Sequence, residues 1–300
     1  MSADQSVEPV LRSIAKTERH IASEYGTRMV GVMDTIGAYP HFASLLQPGT
    51  TSVLSGRDRV DAMYKASVDF AVPQASRVLS QLATDWYVLI ENVPTRLWVA
   101  DGAMRTVQTI TMFVTDDEQG LSGEYAWQRC YPAQDGTAHD AMALPACAIA
   151  NLELHDRLIA AIRDGEIAAL APLLAPTCLW AQRNYLSDAA GGEVLDLHGA
   201  DAAAQHIGQW HRAFHPEHVA VINRKVTDWF VFAEELWVVR PGGGEQRQYR
   251  TATIYAFDAQ GRIEAALGAG RDPEAPSPSA CAVRGRAFWR DPAYDMANIG

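Results

Sequence analysis

Cysteine is scarce in this sequence, positive charge is in deficit, and long apolar runs are missing; each shortage closes off a class of protein. The four cysteines in 300 residues, Cys130, Cys147, Cys178 and Cys281, are widely spaced and form no CxxC pair. They read as reduced thiols, neither a zinc ribbon nor a disulfide framework. Lys and Arg number 25 against 36 Asp and Glu, a net charge of −11. That is the wrong sign for a polyanionic partner, so neither a nucleic acid nor an anionic membrane surface is expected. No stretch of 18 apolar residues is present, so no spanning helix is expected. The first twenty residues lack the apolar core of an export signal, and the expected compartment is the cytoplasm. GxSxG, HExxH and phosphate-loop patterns are missing as well, and Gly242-Gly243-Gly244 after Pro241 reads as a turn. His206, His211, His215 and His218 crowd one stretch, with His211 and His215 four apart, but no cysteine or acidic cluster completes a coordination shell. The expectation is no metal and no cofactor.

Within these bounds the chain is ordinary globular material, 48% hydrophobic and 20% charged, with length for two domains of about 150 residues. The informative feature is an internal repeat. Thr84-Asp85-Trp86-Tyr87-Val88-Leu89-Ile90-Glu91 recurs as Thr227-Asp228-Trp229-Phe230-Val231-Phe232-Ala233-Glu234, five of eight positions identical at a spacing of 143. The same spacing pairs Gly56 with Gly199, Asp58 with Asp201 and Pro73 with Pro216, and a spacing of 142 pairs Thr109, Thr111 and Asp116 with Thr251, Thr253 and Asp258. Each half reads as helices followed by a meander of strands. In the second half, helical periodicity from Leu152 breaks at Asp164-Gly165, and a third helix opens at Gly199-Ala200-Asp201. Strand-like runs follow over 220–225, 229–239, 249–257 and 262–268. The fold class is α+β: two tandem cone-shaped domains, each a curved antiparallel sheet wrapped on about three helices. The expected boundaries are a first domain over 8–132, a linker over 133–150, a second domain over 151–272 and an extension over 273–300. The Pro- and Ser-rich segment after Asp272 reads as extended chain, with Phe288, Trp289 and Tyr294 beyond it. The repeated Asp-Trp pairs read as hairpin corners carrying a buried indole.

The order of these phrases resembles the nuclear-transport-factor-2-like superfamily, the cone fold of ketosteroid isomerase, scytalone dehydratase and SnoaL-like polyketide cyclases. The first half carries Val32-Met33-Asp34-Thr35-Ile36, Pro40-His41-Phe42, Gly56-Arg57-Asp58-Arg59-Val60 leading to Tyr64, and Gly123-Glu124-Tyr125-Ala126-Trp127. In the second, Ile162-Arg163-Asp164-Gly165-Glu166 to Leu174 resembles the junction of the family's first two helices. The resemblance implies an apolar cavity in which one buried base and one or two donors suffice, the arrangement found in ketosteroid isomerase.

The same resemblance implies a dyad in the second half. Asp164 stands at the helix junction and His218 near the strand position, with Asn223 on the same wall. The first half has Tyr25-Gly26-Thr27 at that junction and Ala75 opposite His218. Its candidates are therefore Tyr25 as donor, with His41 or Asp34 as base. Tyr125, Trp127 and Arg129 alternate along its last strand and share one face, a row suited to a planar aromatic or acidic ligand. The expected function is a cofactor-independent lyase or isomerase. It would act by proton transfer on a hydrophobic, aromatic or polycyclic small molecule, in a dehydration, retro-aldol cleavage, double-bond migration or cyclisation. The alternative is a non-catalytic binding or dimerisation module with one or both cones inactive. The second half is the favoured seat of chemistry. The two cones are expected to form a pseudo-dimer within one chain, an arrangement compatible with further homo-oligomers. Trp86, Trp229 and Trp237 are expected on the outer sheet faces.

Overall fold

A computed structural model of the protein describes residues 7–25, 29, 31–47, 50–116, 120–130, 146–184, 193–271 and 283–284. Gly26, Thr27, the segment 131–145 and the aromatic residues Phe288, Trp289 and Tyr294 lie outside the described residues. The chain divides into two compact units, Met1–Thr137 with Ser277–Gly300, and Ala138–Pro276. Both have the α+β cone architecture expected from the repeat.

In the first unit α1 (Glu8–Glu24) opens with Pro9 in its first turn, where a missing N–H costs nothing. Its inward stripe, Val10, Ile14, Thr17, His20 and Ile21, follows the 3–4 spacing of an amphipathic helix. A 3-10 turn, Val32–Thr35, leads into β1 (Ile36–Gln47) and β2 (Thr50–Ser55). Next come α2 (Arg57–Phe70) and the meander β3 (Ala71–Ala83), β4 (Tyr87–Trp98), β5 (Met104–Asp116) and β6 (Gly120–Cys130).

The second unit repeats the order. It has α3 (Ala146–Asp164), the short α4 (Ile167–Leu170), β7 (Leu174–Asn184), β8 (Glu193–Val194), β9 (Leu197–His198) and α5 (Ala200–Phe214). Its meander is β10 (Pro216–Val226), β11 (Phe230–Val239), β12 (Arg247–Phe257) and β13 (Ile263–Arg271).

Each curved sheet carries one parallel pairing beside the expected antiparallel ones. The meander strands pair antiparallel, but β6 runs parallel to β1, and β13 parallel to β7. The last meander strand returns beside the strand that preceded the third helix, and the intervening crossover fixes their common direction. A short β14 (Val283–Arg284) pairs antiparallel with β3, so the C-terminal extension completes the edge of the first sheet. Helix α3 also begins at Ala146, inside the expected 133–150 linker.

The repeated Thr-Asp-Trp corners behave as expected. Thr84 Oγ1 accepts the backbone N–H groups of Trp86 and Tyr87 at 3.4 and 3.2 Å, and Thr227 Oγ1 those of Trp229 and Phe230 at 3.4 and 3.0 Å. Each indole is buried edge-on to the next aromatic ring. Trp237 is also buried, and it turns inward to line the cavity of the second unit.

Two contacts fix the floor of the first cone. The Arg57 guanidinium donates to the carbonyls of Met33, Ile36 and Gly37, tying the start of α2 to the 3-10 turn. Gly120, at φ +98°, starts β6 hard against that turn; a Cβ there would lie 2.3 Å from the Thr35 carbonyl oxygen. Gly120→Ala is therefore expected to destabilise the first unit by about 1–3 kcal/mol in urea denaturation, since conformation and space both forbid the methyl. Gly261→Ala, at φ +72° in open space, is expected to cost at most about 1 kcal/mol, the conformational part alone.

Candidate functional site

The sheet of the first unit encloses a cavity of about 260 Å³ whose walls can be read in rows across the strands. Phe42, Glu124 and Phe113 are register neighbours at the floor; Ser44, Ala126, Thr111 and Ile90 form the next row; Gln128, Thr109 and Asn92 the one above. Pro94 and Arg96 continue the same face of β4. Glu24 and Tyr25 at the end of α1, and Tyr64 on α2, close the other side.

At the floor four groups meet. His20 is completely buried. Its Nδ1 lies 2.7 Å from Thr35 Oγ1, whose own proton goes to the Val32 carbonyl at 2.5 Å. The hydroxyl can then only accept, so Nδ1 carries a proton. Its Nε2 faces Glu24 Oε1 at 3.2 Å and Glu124 Oε2 at 3.6 Å. The Tyr64 hydroxyl sits among them, 2.8 Å from Glu24, 3.0 Å from Glu124 and 3.1 Å from His20 Nε2.

This crowding separates the protonation states. Burial alone would depress the His20 imidazole, but the Glu24 carboxylate and the bonds to Glu124 outweigh it and lift the group to about 9. Burial works to raise Glu24, yet the charge of His20 and hydrogen bonds from His20 and Tyr64, with help from Arg96, bring it below the usual carboxylate range. Glu124 moves the other way, raised by burial and by the charge of Glu24. Tyr64 is held protonated by burial and by both carboxylates. The Tyr64 hydroxyl thus links the two carboxyl groups, with the His20 imidazolium behind them. Among the described residues His20, Glu24 and Glu124 are the group whose donor atoms come within 4.8 Å of one another, as around a divalent ion. The Tyr64 hydroxyl is bonded to all three, at 2.8–3.1 Å.

The sequence-derived candidates fall differently. Tyr25 does line the cavity, its phenol pushed up to about 12 by burial. His41 is buried, with Nδ1 3.4 Å from Ser55 Oγ, and does not line the cavity; Asp34 is exposed. Tyr125, Trp127 and Arg129 share a face as expected, but it is the opposite face of β6, where Arg129 Nε donates to Gln108 at 2.8 Å. Glu124, Ala126 and Gln128 point inward instead, and a shift of one residue exchanges the faces completely.

Asp164 and His218 are not brought together at a cavity. Asp164 is exposed, its carboxylate forked onto Arg163 at 2.7 Å, and the histidine whose field it feels is His211. His218 is exposed on β10, and Asn223 donates to Glu234 at 2.6 Å. Of the other histidines, His211 faces the Arg163 carbonyl at 3.1 Å, and His206 lines the second unit's cavity. That cavity is only about 60 Å³. By strand register Ala266 occupies the place of Glu124; eight residues after the matched glycine Ile207 replaces Tyr64; and Ile162 lines this cavity as Glu24 lines the first. The buried pair beside it, His155 and Glu235 at 3.3 Å, is held by Thr251 and Tyr255.

No protein-family model and no curated protein matches the chain. Among solved structures it is similar to a steroid delta-isomerase from Pseudomonas aeruginosa, with 23% identity, a TM-score of 0.32, and coverage of 44% of this chain and 85% of that one. It is also similar to an LEH-like epoxide hydrolase of M. tuberculosis (11%, 0.34, 41% and 84%) and to a Bacillus subtilis protein described as a putative isomerase (12%, 0.36, 42% and 88%). The likeness is one of fold and extends to no activity.

The raised His20 value has a measurable consequence. A histidine lifted from 6.5 to about 9 contributes stability that is complete below pH 6.5 and is lost as pH rises through 9. The melting temperature of the wild type should fall over pH 6.5–9.5 more steeply than that of His20→Asn, as differential scanning fluorimetry across that window would show. Parallel slopes would place the imidazolium elsewhere.

Proposed function

We propose that the first unit is a cofactor-independent isomerase or lyase that works by proton transfer between two carboxyl groups of opposite protonation state. The observation that carries this reading is the pair Glu24 and Glu124, both lining one cavity, one pushed below and the other above the ordinary carboxylate value. Titratable groups driven apart by their surroundings are the signature of an acid and a base assigned by environment.

Glu24 is the base. It takes a proton from carbon activated by a neighbouring carbonyl or ring, and the His20 imidazolium keeps it ionised at neutral pH. Glu124 is the acid, giving its proton to the oxygen or carbon where negative charge develops. After one turnover the roles are exchanged, with Glu24 protonated and Glu124 ionised. The Tyr64 hydroxyl, bonded to both, passes one proton on and accepts another, which restores the starting state. His20 touches neither the cavity nor the substrate and is a positioning residue. Apolar walls from Phe42, Ile90 and Phe113 exclude water and suit a flat hydrophobic substrate. The second unit, with isoleucines and alanine at the corresponding places, serves as scaffold.

Glu24→Gln is expected to lower turnover by about 10²–10⁴, the range of a positioned acid or base. Exchange of the α-hydrogens of enolisable bicyclic aryl ketones in D2O, followed by NMR, gives the readout. Asp164→Asn and His218→Ala should stay within about twofold of wild type, since neither touches the cavity. The rate should be bell-shaped in pH, falling on the acid side as Glu24 is protonated and on the alkaline side as Glu124 and His20 lose their protons. Full exchange activity in Glu24→Gln would remove this assignment.

A further inference from the structure

The upper wall of the same cavity contains polar atoms that the protein itself leaves unsatisfied. Arg96 Nε, Asn92 Oδ1 and Thr109 Oγ1 are buried without a hydrogen-bond partner. All three residues line the cavity. Asn92 and Thr109 face each other across β4 and β5, and Arg96 follows Asn92 on the same face of β4. Thr109 is only 7% exposed, so bulk water does not readily compensate its hydroxyl. A buried donor or acceptor left unpaired costs about 1–3 kcal/mol, and three of them in one wall mark a place that a ligand completes.

Charge points the same way. At the floor the His20 imidazolium faces Glu24, whose carboxyl it holds low, while burial raises Glu124 and Tyr64. Arg96 has no carboxylate within ion-pair distance among the described residues. Arg96 therefore brings a positive charge to the cavity wall, near enough to act on Glu24 and Tyr25 at the end of α1. The Glu124 row and the Asn92 row lie four residues apart along the sheet, roughly 13 Å at the rise of a strand, and the Arg96 charge reaches Glu24.

We propose that Arg96, with Asn92 and Thr109, forms a carboxylate-binding subsite, so that the substrate is an aromatic or polycyclic acid whose carboxylate docks on Arg96 while its reacting carbon lies at Glu24. The guanidinium Nε–H donates to one carboxylate oxygen, and the Thr109 hydroxyl donates to the other. The Asn92 amide carbonyl is left to accept from a neighbouring hydroxyl of the substrate. Pairing of a planar guanidinium with a carboxylate sets the orientation of a flat molecule along the cavity. The proposal rests on the cavity assigned above as the active site and deepens it by naming the substrate class.

The test is equilibrium binding by calorimetry of 2-naphthoate and its neutral isostere 2-naphthamide to the full-length protein. Wild type should prefer the acid by about tenfold or more, the scale of one charge-assisted pair. Arg96→Met should abolish the preference, and Arg96→Lys, which keeps the charge but loses the fork, should retain part of it. Glu24→Gln separates the two readings. It should lose proton exchange yet keep the preference for the acid, because it leaves the subsite intact. Equal binding of acid and amide by wild type, binding of neither, or a preference surviving in Arg96→Met would each overturn the carboxylate subsite, whatever the outcome for Glu24.

Discussion

The first unit depends on a charged imidazole placed where no water reaches it. A buried imidazolium is unstable unless opposite charge lies against it, and His20 has two carboxylates on one side and a hydroxyl–carbonyl relay on the other. Once the imidazolium is accepted, most of the site follows. Glu24 is drawn down by that charge, Glu124 is pushed up by burial and by Glu24, and Tyr64 is held as the phenol that joins them. One ring on the inner stripe of α1 thus orders four protonation states. Thr35 accepts from Nδ1 and so fixes the ring's orientation, and the Arg57 contacts to the neighbouring carbonyls fix the turn that carries Thr35.

The two units show what one scaffold does with and without that ring. Hairpin corners, helix-starting glycines and strand registers are shared, so their packing demands are the same. The floor is where they part. With Ala266, Ile207 and Ile162 at the corresponding places, the second unit lacks the floor groups and keeps only a small void, lined in part by Gln182, Arg183, His206 and Thr251. Its buried His155–Glu235 pair, held by hydroxyls, is bonded within the wall of that void. The second unit has buried polar groups of its own, His155 Nδ1 and Arg250 Nε among them without a partner, but they are not gathered at the corresponding floor.

The fold was legible because it rests on local and repeated signals. The 143-residue spacing exposed the duplication, Thr-Asp-Trp marked the corners, and Gly56 and Gly199 marked the starts of the third helices. The parallel pairings were not, since crossover direction is a property of the whole chain. The site was mostly illegible for two physical reasons. First, β6 was read from its largest residues, and Tyr125, Trp127 and Arg129 took the inner face that belongs to Glu124, Ala126 and Gln128; aromatic bulk fills either side of a sheet equally well. Second, His20 and Glu24, four apart on α1, looked like ordinary members of an amphipathic helix. A usable signal lay in the repeat itself. Positions aligned between the halves but opposite in polarity, Tyr64 against Ile207 and Glu124 against Ala266, single out where one copy carries chemistry and the other does not. The junction motif around Asp164 was instead an exposed turn with its carboxylate on the neighbouring arginine.

Gly120 has a meaning beyond the conformational strain it avoids. By seating the start of β6 against the Thr35 carbonyl, it makes main chain, and not side-chain packing, the ruler that sets Glu124 relative to His20. The spacing of acid and base is therefore insulated from changes in the rows above, which contact only the far end of a bound molecule. Such a division allows a lineage to change what it recognises, by altering residues near Asn92, Thr109 or Arg96, while inheriting the proton-handling floor intact.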